Sequence, residues 1–172
     1  MKKVLLIVVL LLLLTGVIAG SAAAKPPPFS GTVQSATFRN LNHWGYRYAT
    51  AQWDVWQLCD AQAEHLAMID ARGRSVAYVY QDVYPSDGGE QVYWAARVCP
   101  GSGPGFMRVE YYNGNQLVKT YTRSLYGAWP FIYRLDHVTP TNATKARVVL
   151  FATRDNLLVV DWVNGTPLPL PG

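Results

Sequence analysis

With 172 residues, half of them hydrophobic and 13% aromatic, the chain is too apolar for a disordered polypeptide and long enough for one sizeable core. Its formal charge of +4 includes Lys2 and Lys3, which leaves +2 on the rest. The arginines (Arg39, Arg47, Arg72, Arg74, Arg97, Arg108, Arg123) are scattered rather than grouped in a block, so no nucleic-acid partner is expected.

Lys2 and Lys3 precede an unbroken apolar run from Val4 to Leu14, and Ser21-Ala22-Ala23-Ala24 supplies small residues. A basic start, an apolar centre and an A-x-A end read as a secretory signal over residues 1–24, cleaved between Ala24 and Lys25. The alternative is a retained anchor, since Val4 to Ala24 nearly spans a bilayer. Cleavage leaves no membrane partner and a secreted, extracellular or periplasmic protein. Residues 25–31, with Pro26-Pro27-Pro28, form a stiff lead-in, residues 32–164 the folded domain, and residues 165–172 a proline-broken tail. In an exported chain Cys59 and Cys99 are expected to form a disulfide, which in the chain-entropy model stabilises by about 4 kcal/mol. Their spacing fits no zinc pattern.

Gly31 to Asn40 is expected to hold a first strand. Asn40 to Asp60 is irregular and rich in rings: Trp44, Tyr46, Tyr48, Trp53 and Trp56. Trp53 and Trp56 share a helical face at i, i+3, but no capping box accompanies them, and the conformation there stays open. His65 to Ile69 reads as a strand. Ser75–Val83 and Gln91–Cys99, flanking Pro85-Ser86-Asp87-Gly88-Gly89, read as the central pair of strands. Met107–Tyr112 alternates with the period of a half-buried strand, Asn113-Gly114-Asn115 is a strong hairpin signal, and Leu117–Thr122 returns as its partner. Trp129–Val138 is a further strand, and Lys145–Thr153 and Leu157–Val163 read as a last pair around Arg154-Asp155-Asn156. Eight or nine short strands separated by turns, without a long helix, mean an all-β antiparallel sandwich or barrel.

Several stretches resemble the galactose-binding-like jelly-roll domains, particularly the carbohydrate-binding modules of secreted glycoside hydrolases. VAYVYQDV, GGEQVYWAARV, MRVEYYNGNQLV, Trp129 followed by TPTNATKARVVLF, and LLVVDWV carry the likeness, over Phe38 to Val163. The resemblance implies a jelly-roll topology and a non-catalytic role in binding a carbohydrate or cell-surface glycan. Family members often begin with an Asn-Gly-x-Phe-Glu segment whose Glu helps hold calcium. Here Ala36-Thr37-Phe38-Arg39 stands in that place, and Asp161 is followed by Trp162. An arginine repels a hard cation, so no metal and no cofactor are expected, and Arg39 is expected to pair with Asp161 instead.

His43, His65 and His137 lie far apart outside any catalytic motif, and no G-x-S-x-G occurs. Sugar binding needs flat rings and a few amide, carboxylate or guanidinium groups. Trp94, Trp129, Tyr133 and Trp162 are expected in the core, on strand periodicity. The candidate carbohydrate-binding residues are Trp44, Tyr46, Trp53 and Trp56 in the irregular segment, with Tyr93 and Arg97 on the face of their strand opposite Trp94. Whether Tyr78 and Tyr80 or Gln81 face solvent stays open. The site is expected where the Trp-rich segment, tied through Cys59, meets the strand ending at Cys99. The alternatives are an adhesive domain that contacts proteins without binding sugar, and a small secreted hydrolase using an acid pair. Asn142-Ala143-Thr144 and Asn164-Gly165-Thr166 fit glycan acceptor patterns.

Overall fold

Alternation of apolar and polar side chains governs nearly every strand. A computed structural model describes residues 33, 37–53, 59, 65–83, 88–128 and 131–167. The signal, the proline lead-in, Trp56, Trp129 and the last five residues lie outside the described residues. Ten strands follow in order: β1 (Gly45–Arg47), β2 (Ala49–Trp53), β3 (His65–Asp70), β4 (Val76–Val83), β5 (Gln91–Val98), β6 (Gly105–Asn113), β7 (Gln116–Leu125), β8 (Ile132–Val138), β9 (Lys145–Thr153) and β10 (Leu157–Pro167). They form two antiparallel five-stranded sheets, β1-β4-β9-β6-β7 and β2-β3-β10-β5-β8. This is the jelly-roll sandwich expected from the sequence.

The core lies between the sheets. β4 sends Ala77, Val79, Gln81 and Val83 inward, β9 sends Ala146, Val148, Leu150 and Ala152, and β5 sends Val92, Trp94, Ala96 and Val98. A Cβ on Gly165 of β10 would come within 2.9 Å of the Trp94 ring, so the missing side chain there lets the indole lie against the backbone. Tyr133 is buried, as its periodicity predicts, whereas Trp162 is half-buried and shares the outer face with its cross-strand neighbour Arg97. At one edge the sheets are joined by polar rings. Tyr111 Oη of β6 is 2.8 Å from His137 Nε2 of β8, and Tyr121 of β7 stacks on His137 at 4.0 Å. Burial pushes the His137 imidazole down to about 4.

Three features differ from the sequence reading. β4 and β5 are not partners: β4 pairs with β1 and β9, and β5 pairs with β10 and β8, in the opposite sheet. β9 and β10 likewise sit at the centres of different sheets. In both cases consecutive strands belong to opposite sheets, so the chain crosses the core between them. Apolar alternation looks the same for strands that pair and for strands that face each other. Third, the described part of Gly31–Asn40 contains no strand. Phe38 is fully buried at φ 52° and packs against Trp44 with ring centroids 5.1 Å apart, closing the sandwich as a plug. The β6–β7 hairpin is formed as expected, with Gly114 at φ 57° in its turn.

Outside the core, Cys59 is bonded to Cys99, with Cα atoms 4.4 Å apart. The disulfide packs with Leu66 and Val159 in a second, smaller apolar cluster, flanked by Met68 and Leu157 on the outer side of the β2-β3-β10-β5-β8 sheet.

Candidate functional site

The strands of the β1-β4-β9-β6-β7 sheet bury one set of alternate residues and leave the other on the outer face. From β4 these are Tyr78, Tyr80 and Asp82, from β9 Lys145, Arg147, Val149 and Phe151, and from β6 Phe106, Arg108, Glu110 and Tyr112. Register lines them up in rows, because directly opposed antiparallel residues share a face. Arg47, Tyr78, Phe151 and Phe106 form one row across four strands, and Asp82, Arg147 and Glu110 form another across three. Phe106 and Phe151 stack with centroids 5.1 Å apart and planes 22° apart, and Tyr78 and Tyr80 lie 6.2 Å apart. Gly45, opposite Tyr80, leaves room for the tyrosine ring over its backbone.

Polar groups fix these rings. Arg147 Nε and Nη2 donate to the two carboxylate oxygens of Asp82 at 2.5 and 3.0 Å, and the same guanidinium lies over Tyr80 at 4.3 Å. Lys145 Nζ reaches Asp82 at 3.4 Å and sits over the Tyr112 ring at 4.8 Å. Tyr112 Oη donates to Glu110 Oε2 at 2.6 Å, Arg108 Nη1 is 3.6 Å from Glu110 Oε1, and Arg108 lies over Phe151 at 4.7 Å. Burial and the Glu110 carboxylate push the Tyr112 phenol up to about 12, so it stays a hydrogen-bond donor. Burial raises the Asp82 carboxyl, but the hydrogen bond and charge of Arg147, with the charge of Lys145, outweigh it and hold the acid below its ordinary value. The result is a half-buried platform of rings flanked by fixed donors and acceptors.

The candidates named from the sequence fall in separate places. Trp44 and Tyr46 line a groove of about 610 Å³ at the β1–β2 edge, with Arg39, Asn40, Asn42 and Thr50. Tyr46 is 57% exposed, but Trp44 is 4% exposed and serves the core, so its ring offers no open stacking surface. Trp53 closes β2 opposite His65. Tyr93 and Arg97 do face outward, but on the other sheet, with β10 and β3 between them and β2. There Arg134 lies over Tyr93 at 4.3 Å, and Arg97 pairs with Asp161 at 3.2 Å. Asp161 thus takes a partner from its own sheet, in place of the staple expected with Arg39. The Trp-rich segment does meet the end of β5, through Cys59–Cys99, but Trp44 and Tyr46 are not brought there. What the sequence reading lacked was the platform. Its signal was the shared period of Tyr78/Tyr80, Phe106/Arg108/Glu110/Tyr112 and Arg147/Phe151, which aligns only once the strand order is known.

Among the described residues, no three His, Cys, Asp or Glu side chains converge as a metal site. No protein-family model and no curated protein matches the sequence. Among solved structures, the enzymatically active domain of bacteriophage CBA120 tailspike protein 4 has a TM-score of 0.65 at 11% identity, over 80% of this chain and 21% of that one. The Clostridium thermocellum endo-1,4-β-D-xylanase 10B CBM22-1–GH10 modules complexed with xylohexaose give 0.59 at 15% identity, over 82% and 29%. TmCBM61 in complex with β-1,4-galactotriose gives 0.56 at 9% identity, over 79% and 97%. The chain therefore spans about a fifth of the tailspike domain and nearly all of the isolated module. What it shares with them is the fold, a jelly-roll β-sandwich of the kind found in carbohydrate-binding modules.

Proposed function

We propose that this chain is an exported, non-catalytic carbohydrate-binding domain that takes a glycan along the outer face of the β1-β4-β9-β6-β7 sheet. The observation that carries this reading is the ring row Tyr78–Phe151–Phe106 on the same face as the polar row Asp82–Arg147–Glu110, with the row Tyr80–Val149–Arg108 between them. Sugar rings present apolar C–H faces and equatorial hydroxyls, and a platform of rings bordered by fixed guanidinium, carboxylate and phenol groups answers both. The carboxylates favour binding over hydrolysis. Asp82 is held ionised by Arg147 and Lys145, which makes it a poor proton donor, and Glu110 is engaged by Tyr112 and Arg108. The Cys59–Cys99 disulfide supports an oxidising, extracellular or periplasmic setting.

Electrophoresis of the chain through gels carrying different polysaccharides tests the reading. Xylan and β-1,4-galactan, the polymers of the sugars bound by two structural neighbours, belong in the first panel. Retardation by at least one polymer is expected, with loss on Tyr80→Ala or Phe151→Ala at unchanged melting temperature. Free migration in every gel overturns carbohydrate binding. Retardation untouched by both substitutions overturns the platform as its seat.

A further inference from the structure

Most described arginines have their charge matched by a neighbour. Arg72, Arg97, Arg108, Arg134, Arg147 and Arg154 each lie within 3.6 Å of a carboxylate oxygen. Arg47 and Arg74 are different. Their guanidinium carbons lie 5.0 and 4.2 Å from the ring centroid of Tyr48, and among the described residues no carboxylate stands within salt-bridge distance of either. Tyr48 itself is 43% exposed and sits at φ 54°, where the chain leaves β1 for β2. Its carbonyl accepts the Asp70 amide at 3.0 Å, which fixes the backbone in that left-handed conformation.

The two acids at this end of the sandwich are already engaged. Asp70 accepts Arg72 Nε and Nη2 at 2.9 and 2.8 Å, as well as the Arg72 amide, and the Arg72 hydrogen bond holds its carboxyl down to about 2. Asp155 accepts the Gly73 amide at 3.2 Å and lies 3.5 Å from Arg154 Nε. Arg74 Nη1 donates to the Asp70 carbonyl at 3.2 Å and its charge also acts on the Asp70 carboxyl, but that carboxylate is paired with Arg72, so the two exposed guanidinium groups gathered at one ring leave a net positive cap. Arg47 is also the cross-strand neighbour of Tyr78, the first ring of the platform row, and Arg74 lies two residues before the start of β4. A glycan lying along Tyr78, Phe151 and Phe106 would run its end or its side groups onto this pair.

We infer that the glycan is acidic, and that Arg47 and Arg74 take a carboxylate or sulfate group of the polymer beside Tyr48. This rests on the reading of the adjoining face as the glycan platform. Guanidinium groups bind both oxyanions through paired N–H donors, and the partly exposed ring below them limits their hydration.

The test measures affinity of the full chain for polygalacturonate, for a sulfated galactan and for neutral β-1,4-galactan. It compares the native chain with Arg47→Gln/Arg74→Gln and with Lys119→Gln/Arg123→Gln, which removes the same charge from exposed positions on β7. Binding to at least one acidic polymer about tenfold tighter than to the neutral one is expected, with that advantage lost in the first variant and kept in the second. Whichever acidic polymer is preferred identifies the oxyanion. Equal affinity for neutral and acidic polymers, or equal weakening by both variants, overturns the inference while leaving carbohydrate binding intact. Absence of binding to all three polymers and to the wider panel overturns both.

Discussion

The outer faces of the two sheets start from the same two-residue alternation and end in different states. On the β1-β4-β9-β6-β7 sheet, rings and charges from three central strands share one face around Val149, and the charges are fixed by partners in the plane of that face. On the β2-β3-β10-β5-β8 sheet, one half is roofed by the disulfide and its small apolar cluster. The other half carries discrete pairs, Arg97–Asp161 and Arg134–Asp136, around Tyr93. Aromatic content therefore does not locate a platform by itself. What matters is whether rings in neighbouring strands fall into one register row, and whether anything covers them.

The largest test of this contrast removes the roof. Cys59→Ser/Cys99→Ser is expected to cost about 4 kcal/mol in urea unfolding, because the closed loop spans a sequence separation of 40 residues. Glycan binding by the folded fraction should not change, and a matched loss of affinity would place the disulfide side in the site. The next effect lies between the sheets, at His137. Its folded value of about 4 is below the ordinary 6.5, so the neutral ring is favoured by folding. That stability is fully present above pH 6.5 and lost as pH falls toward 4, by at most about 3 kcal/mol. Urea unfolding at pH 7.5 and 4.5 should show the loss in the native chain and a flatter profile in His137→Gln.

Third, the faces can be compared directly. Phe151→Ala is expected to weaken glycan binding about tenfold, while Tyr93→Ala and Arg97→Ala leave it within about twofold. The reverse pattern, read by calorimetric titration, would move the site to the second sheet. The smallest expected effect is on stability from Arg147→Met. The pair it breaks with Asp82 is partly exposed, so the loss should stay below about 1 kcal/mol while affinity falls. A large loss of stability would make Arg147 a structural residue.

The sequence spoke clearly where a signal is local. Strand positions from β3 onward, the Asn113-Gly114 hairpin, the inward face of Trp94 and the disulfide all depend on neighbours along the chain or on cysteine count. It was silent on which sheet each strand joins, because Pro85–Gly89 and Arg154–Asn156 supply the same turn chemistry whether the chain pairs back or crosses the core. That single ambiguity hid the platform. It also left Tyr78 and Tyr80 undecided, although burial of Gln81, which donates to the His43 carbonyl at 3.0 Å, settles their direction. The Trp-rich segment misled for another reason. Trp44 lacks strand periodicity and is buried all the same, since Phe38 and Trp44 close the end of the core from a loop.

Strand order has one more consequence, for how the domain assembles. Without β9 and β10 the described strands form four separate two-stranded ladders, β1–β4, β6–β7, β2–β3 and β5–β8. β9 inserts between β4 and β6, and β10 between β3 and β5, so the last two strands join the four ladders into two sheets. Two-stranded ladders are marginal alone, and such distant pairings are slow to close. Cooperative folding therefore waits until both of these strands have emerged.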